Sequence, residues 1–323
     1  MKVFTTRILP QAGIDLIEKA GHTLTQWHEK RELTEEEFIT HCKAADGIIL
    51  TGRRKADAAF FKACSHLKVV SLFSVGYDNV DVAAATVAGI AIGNTPDVLS
   101  KATADTAFLL LLATSRKAFF HNKRIAKGDW DFFEPTANLG ISLHGKTLGI
   151  LGLGNIGFEM ATLCKNAYGM NIIYHNRSTN KKAEKELGAV KVSFDELLAQ
   201  SDVISVHANL SDESKDLFNA SAFAKMKPDA IFINTARGPI HNEEDLKQAL
   251  DNGTIWGAGL DVTNPEPMGK DNPLLDMPNV CVLPHIGSAV QETRDAMAVL
   301  AARNLIAGLK GEKLPACVNP EVY

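Results

Sequence analysis

Short apolar runs alternate with longer amphipathic stretches from one end of the chain to the other. Four or five consecutive apolar residues suit a strand covered on both faces, and the stretches between them have helical length. The alternation therefore predicts repeated β–α–β units around parallel sheets. In the first third, the predicted strands are Lys2–Thr5, Thr23–Gln26, Gly47–Leu50, Val69–Phe73 and Ile90–Gly93, with helices such as Thr34–Ala44 and Asp81–Ala88 between them.

The rhythm then changes. Asn94-Thr95-Pro96-Asp97 reads as a strand exit with proline at the first helical position, leading into a long, largely apolar helix over Asp97–Lys117. A polar, aromatic-rich stretch follows at Gly128–Asn138. A second series begins at Lys146, with strands predicted at Thr147–Leu151, Asn171–Tyr174, Val203–His207, Ala230–Asn234, Gly257–Asp261 and Val280–Leu283. Ser193 with Glu196, and Ser288 with Gln291, have the spacing of capping boxes. No repeat of helical-repeat or propeller length is evident.

The last helix, Ser288–Leu309, follows the second series and has no obvious place to pack within it. Together with the long helix after Pro96, it implies two crossings between domains. The expected fold class is α/β in two domains, the second series, residues 99–284, being an insertion in a first domain made of 1–98 and 285–323. A chain of 323 residues is long enough for both.

Composition narrows the function classes. With 46% hydrophobic and 22% charged residues and a net charge of −4, nothing draws nucleic acid or an anionic membrane to the chain wholesale. The longest apolar run, within Thr106–Thr114, is about half of what a bilayer crossing needs. The N-terminus opens directly into a strand, so a cytoplasmic location is expected. Five cysteines, widely spaced and without a C-x-x-C pair, suggest neither a zinc site nor a disulfide framework, and Cys281 reads as a core residue. The histidines lack metal-ligand spacing, so no metal is expected.

Gly152-Leu-Gly154-Asn155-Ile156-Gly157 is a G-x-G-x-x-G between a predicted strand and the helical run Phe158–Tyr168. Alone the pattern is weak; in that context it predicts a dinucleotide site. Gly152 permits the tight turn, Gly154 lets the backbone approach a pyrophosphate, and Gly157 lets helix and strand close up. The phosphates then meet N–H groups at a helix N-terminus, where the dipole favours negative charge.

The end of the following strand bears on which dinucleotide binds. An NAD site usually places Asp or Glu there for the ribose 2′-hydroxyl. Here the chain reads Tyr174-His-Asn176-Arg177-Ser178, then Lys181 and Lys182, with no acid before Glu184. Arg177 suits bidentate pairing with a 2′-phosphate, Ser178 can donate to it, and an acid would repel it. The expectation is NADP(H), with NAD(H) in a solvated basic loop as the alternative.

Hydride transfer to a keto acid needs a cation for the carboxylate and a proton donor for the developing alkoxide. It also needs a partner that keeps the donor charged. Three segments just past strand ends offer these groups. Asn234-Thr-Ala-Arg237-Gly238 supplies an arginine, Pro284-His285-Ile-Gly287-Ser288 a histidine, and Asn264-Pro-Glu266-Pro267 a carboxylate in a stiff turn. A carboxylate beside an imidazole stabilises the imidazolium.

Taken together, these phrases resemble the D-isomer-specific 2-hydroxyacid dehydrogenase family along nearly the whole chain. The matching phrases are SVGYDN at Ser74–Asn79, NTPDVL at Asn94–Leu99, GLGNIG, NTARG, the segment Gly259–Pro267, and LPHIGS. The resemblance implies a Rossmann dinucleotide-binding domain, 99–284, inserted in a flavodoxin-like substrate domain of 1–98 and 285–323, with Arg237 as the substrate-orienting cation, His285 as acid/base and Glu266 as its partner. It also implies substrate contacts from Val75, Gly76 and Ser288, the first two through their backbone, and cofactor contacts from Asn209, Thr235, Ala236 and Asp261. By the same resemblance the product has D configuration.

Within the family the chain is most similar to glyoxylate/hydroxypyruvate reductases, through DVTNPEP, NPLL, LPHIGSA and NLIAGLKGE. That similarity implies a homodimer in which a partner's aromatic enters the substrate pocket. Trp130, Phe132 and Phe133 are the candidates, and a purely structural dimer arm is the alternative. A 2-ketogluconate reductase, another enzyme of the family, or a dinucleotide-sensing corepressor-like protein are the competing readings.

Overall fold

In the computed structural model, which describes all 323 residues, each of the twelve strands pairs in parallel with its neighbours. The chain forms two units, one of Met1–Leu99 with Ser288–Tyr323 and one of Ser100–Gly287.

The first unit contains β1 (Lys2–Thr5), β2 (Thr23–Gln26), β3 (Gly47–Leu50), β4 (Val69–Leu72) and β5 (Ala91–Gly93), in the order β2-β1-β3-β4-β5. That is the flavodoxin-like doubly wound order. β3 and β4 are buried throughout, as unalternating apolar runs require. One face is covered by an aromatic cluster that includes Phe4, Phe38, Phe60 and Phe61. The helix Gln291–Lys310 lies on the other face beside the helix Gln11–Lys19. Glycine makes that packing possible: a Cβ on Gly308 would come within 2.5 Å of the Val69 side chain, and one on Gly13 within 2.9 Å of Ala298.

The second unit contains β6 (Thr147–Leu151), β7 (Asn171–His175), β8 (Val190–Lys191), β9 (Val203–Val206), β10 (Ile231–Asn234), β11 (Gly257–Leu260) and β12 (Val280–Val282). Their order, β12-β11-β10-β9-β6-β7-β8, reverses direction at the β6–β9 pair. This is the Rossmann arrangement, whose ligands bind beyond the strand carboxyl ends at that reversal. The helix Ser100–Ser115, buried along most of its length, packs on β10, β11 and the helix Asn155–Tyr168.

Local signals in the sequence gave mixed results. Ser193 and Glu196 form the capping box, with Ser193 Oγ accepting from Glu196 N–H and Glu196 accepting from Ser193 N–H. Ser288 forms none: the last helix starts at Gln291 behind Val290, with no side-chain cap. Pro96 does not open the long helix either, because Asp97 is left-handed (φ 69°) and the helix begins at Ser100. The helix also ends earlier, at Ser115. Lys117 is left-handed (φ 53°) and a separate helix, Ala118–Lys127, follows. The two-residue strand β8 is too short for any periodicity to reveal. No helix is long and apolar enough to cross a membrane.

Candidate active site

The glycine turn lies at the sheet reversal. Gly152 has φ 89°, and a Cβ there would come within 2.5 Å of Ala208 N, just past β9, so both conformation and space demand glycine. A Cβ on Gly157 would meet Gly152 O at 2.7 Å, whereas one on Gly154 would meet nothing within 4 Å. Gly154 thus presents open backbone at the start of the helix Asn155–Tyr168. That helix has neither a side-chain cap nor an acid in its first turn, and Ile156 and Gly157 sit in that turn. Uncapped N–H groups, a favourable dipole and an unobstructed glycine fit a pyrophosphate.

Asn176 secures this turn: its Oδ1 accepts from Leu153 N–H at 2.7 Å and its Nδ2 donates to Leu153 O at 3.2 Å. Beyond it, Arg177 and Ser178 are exposed. Lys191, on β8, donates to Arg177 O at 3.1 Å, adding a cation that sequence reading missed along with its strand. Lys182 Nζ stands 4.2 Å over the Phe158 ring.

Three further cofactor candidates lie past β9, β10 and β11. Asn209 is exposed and its carbonyl accepts from Ser214 Oγ. Thr235 is buried with no partner for its hydroxyl. His207 likewise follows directly on a paired strand end, Val206 opposite Asn234; its Nδ1 is without a partner and its Nε2 pairs with Ser205 Oγ at 2.8 Å. Burial lowers the His207 pKa to about 4, so the ring is neutral. Orphaned polar atoms at strand ends beside the glycine turn fit a polar group of a bound dinucleotide. Asp261 has both oxygens engaged, accepting from Ile286 N–H and Gly287 N–H at 2.8 Å each. Burial raises its pKa, outweighing those two bonds.

The three candidate catalytic residues occupy adjoining loops of this unit. His285, left-handed at φ 56°, donates from Nδ1 to Glu266 Oε1 at 2.6 Å. Glu266 is the more enclosed of the two, with 17% side-chain exposure against 44% for His285. A carboxylate only accepts, so the pairing puts a proton on Nδ1 and directs Nε2 away from Glu266. The peptide bonds before Pro265 and Pro267 are both cis. The loop carrying Arg237 runs hard against this segment, because a Cβ on Gly238 would fall 1.9 Å from Thr263 O. Arg237 Nη1 donates to Ala236 O, and Ala236 N–H donates to Asn234 Oδ1.

In the first unit, the Val75–Gly76 loop is tied through its carbonyls. Ser74 Oγ donates to Gly76 O and Asn94 Nδ2 donates to Val75 O, while both N–H groups are left out of these bonds. Ser288 lies in a turn whose carbonyl accepts from Val290 N–H. Trp130, Phe132 and Phe133 of the second unit are 74%, 76% and 81% exposed, three large aromatics within four residues of one another.

Comparison with known proteins shows the family of the chain. Residues 108–287 match the family model described as D-isomer specific 2-hydroxyacid dehydrogenase, NAD binding domain. Over 325 aligned residues the chain is 42% identical to the glyoxylate reductase of Pyrococcus furiosus, covering 99% of this chain and 96% of that one. A crystal structure of a glyoxylate reductase from Paecilomyes thermophila superposes with a TM-score of 0.88 at 36% identity, covering 100% and 99% of the two chains. An NADPH-dependent glyoxylate/hydroxypyruvate reductase from Sinorhizobium meliloti, in complex with NADP and malonate, gives a TM-score of 0.84 at 31% identity, covering 99% and 97%. On fold, sequence and the match to its cofactor domain, the chain belongs to the D-isomer specific 2-hydroxyacid dehydrogenases, oxidoreductases acting on the CH–OH group.

Proposed function

We propose that this enzyme reduces glyoxylate and hydroxypyruvate to the D-2-hydroxy acids, with NADPH preferred over NADH. The observation that carries the reading is the Glu266–His285 pair at 2.6 Å on a loop packed against the one bearing Arg237. When bound, the nicotinamide supplies a hydride to the carbonyl carbon. Arg237 receives the substrate carboxylate. His285 delivers a proton from Nε2 to the carbonyl oxygen, and Ser288 lies in the segment just past it. Glu266 fixes the ring through Nδ1, so that Nε2 faces away from the carboxylate. Asn155, Ile156 and Gly157 serve the pyrophosphate, and Asn209, Thr235, Ala236 and Asp261 the nicotinamide half.

NADPH preference rests on Arg177, Ser178 and the neighbouring lysines at the end of a strand that lacks an acid. The exposed aromatics Trp130, Phe132 and Phe133 supply the arm of a homodimer. Glyoxylate, hydroxypyruvate and 2-ketogluconate, each assayed with NADPH and NADH, test the substrate and cofactor readings together. A kcat/KM highest for 2-ketogluconate, or for NADH, defeats the corresponding half.

A further inference from the structure

His241 takes no part in the chemistry described above, yet it touches the loop that carries Arg237. It follows the 3-10 turn Gly238–Ile240 and is fully buried. Its Nδ1 lies 3.0 Å from Nδ2 of Asn234, the last residue of β10. The same Nδ2 donates to Arg237 O at 2.9 Å, while Asn234 Oδ1 accepts from Ala236 N–H at 3.0 Å. One buried amide holds two consecutive residues of the arginine loop, and an imidazole holds the amide.

The partners fix the chemistry of this pair. Distances alone leave an amide free to be turned end for end, but hydrogen bonding does not. Ala236 N–H needs an acceptor and Arg237 C=O needs a donor, so oxygen faces residue 236 and nitrogen faces residue 237. One hydrogen of Nδ2 goes to Arg237 O and the other points at His241. The imidazole must therefore offer the lone pair of Nδ1 and carry its proton on Nε2. Protonating Nδ1 would set N–H against N–H and release the amide. Burial keeps the ring neutral, with its pKa lowered to about 4.

An apolar residue would suit this location better for packing alone. The surroundings include Phe218, Phe232 and Ile240, the Phe232 ring is 5.7 Å away, and Nε2 has no partner. A buried donor without a partner carries a desolvation penalty that the bond to Asn234 must offset. We infer that His241 is a positioning residue: acting through Asn234, it sets where the Arg237 guanidinium meets the substrate carboxylate. The inference rests on the role given to Arg237 under the proposed function.

The test compares His241→Leu, His241→Asn and Arg237→Ala with wild type. Asparagine keeps an acceptor where Nδ1 stands; leucine removes it. His241→Leu should raise KM for glyoxylate about tenfold or more, since misplacement by about 1 Å can cost about 10²-fold. NADPH affinity, read by fluorescence titration, should stay within about twofold, and His241→Asn should recover most of the loss. An unchanged KM in folded His241→Leu overturns the inference, and so does a loss that folded His241→Asn fails to recover. Should His241→Leu not fold, the pH profile decides. Wild-type kcat/KM should fall more steeply than that of His241→Asn as pH drops through about 4, where the folded imidazole takes up its second proton, and coincident profiles overturn the inference. Arg237→Ala separates the two levels. An unchanged KM there removes the role of Arg237 itself, whereas a raised KM with an innocuous His241→Leu removes only that of His241.

Discussion

The carboxylate of Asp261 reaches across from the end of β11 to Gly287, accepting its N–H at 2.8 Å through Oδ2 while Oδ1 takes the N–H of Ile286. These are the two peptide groups directly after His285, whose left-handed backbone has no local reason to persist. Asp261 thereby clamps the histidine from behind as Glu266 holds it from the side. Replacing Asp261 with Asn leaves one oxygen for two N–H donors and turns an NH₂ towards the other. We expect kcat/KM to fall at least about tenfold and stability to drop by about 1–3 kcal/mol, the cost of a buried unsatisfied donor. Steady-state kinetics and thermal melting check both, and a variant with wild-type turnover removes the clamp from the mechanism.

For the acid itself, His285→Ala should lower kcat by about 10²–10⁴-fold, the usual contribution of a positioned acid–base group. NADPH titration should be unaffected, because no cofactor contact is assigned to the imidazole. Glu266→Gln keeps an acceptor for Nδ1 but not the charge, so its loss should be smaller than that of His285→Ala. If the order is reversed, Glu266 does more than hold the ring.

The cofactor loop gives a cleaner comparison, since each variant is its own control. Arg177→Ala should raise KM for NADPH by about tenfold, equivalent to about 1.4 kcal/mol for a charge-assisted pair, and barely alter KM for NADH. Lys191→Ala should act in the same direction and more weakly, because its ammonium is held by Arg177 O. Equal effects on both cofactors would place these side chains away from the 2′-phosphate.

The parts of the fold visible in the sequence were those set by local pattern. Runs such as Gly47–Leu50 and Ile231–Asn234 are buried strands because nothing in them alternates. The Gly152–Gly157 turn was legible because each glycine answers a separate steric demand. What stayed hidden depends on distant partners. Nothing near His241 in the chain says that a buried Asn234 amide awaits it, and Thr263 O, against which Gly238 packs, is 25 positions away. Pro96 and Ser288 mimic helix-start signals, but the chain spends further residues turning before each helix begins. β8 is defined by its pairing with β7, not by two residues of its own.

Acid sensitivity follows from the two neutral histidines. Burial lowers the pKa of both His207 and His241 from 6.5 to about 4. The folded value lies below the unfolded one, so between these limits the unfolded chain binds more protons. Stability therefore falls as pH drops from 6.5 towards 4, and neither group contributes a pH dependence above 6.5. Carboxylates held low, such as Glu37 at about 2 and Asp202, lose their contribution only at more acidic pH, below the ordinary carboxylate range. His241 alone should account for about 2 kcal/mol between pH 7 and pH 5, at about 1.4 kcal/mol per unit below its unfolded value. Urea unfolding at both pH values checks this. Wild type should lose more stability than His241→Asn over that interval, because asparagine does not titrate. Equal losses would mean that the imidazole is hydrated or already charged at neutral pH, and the acceptor role of its Nδ1 would fall with it.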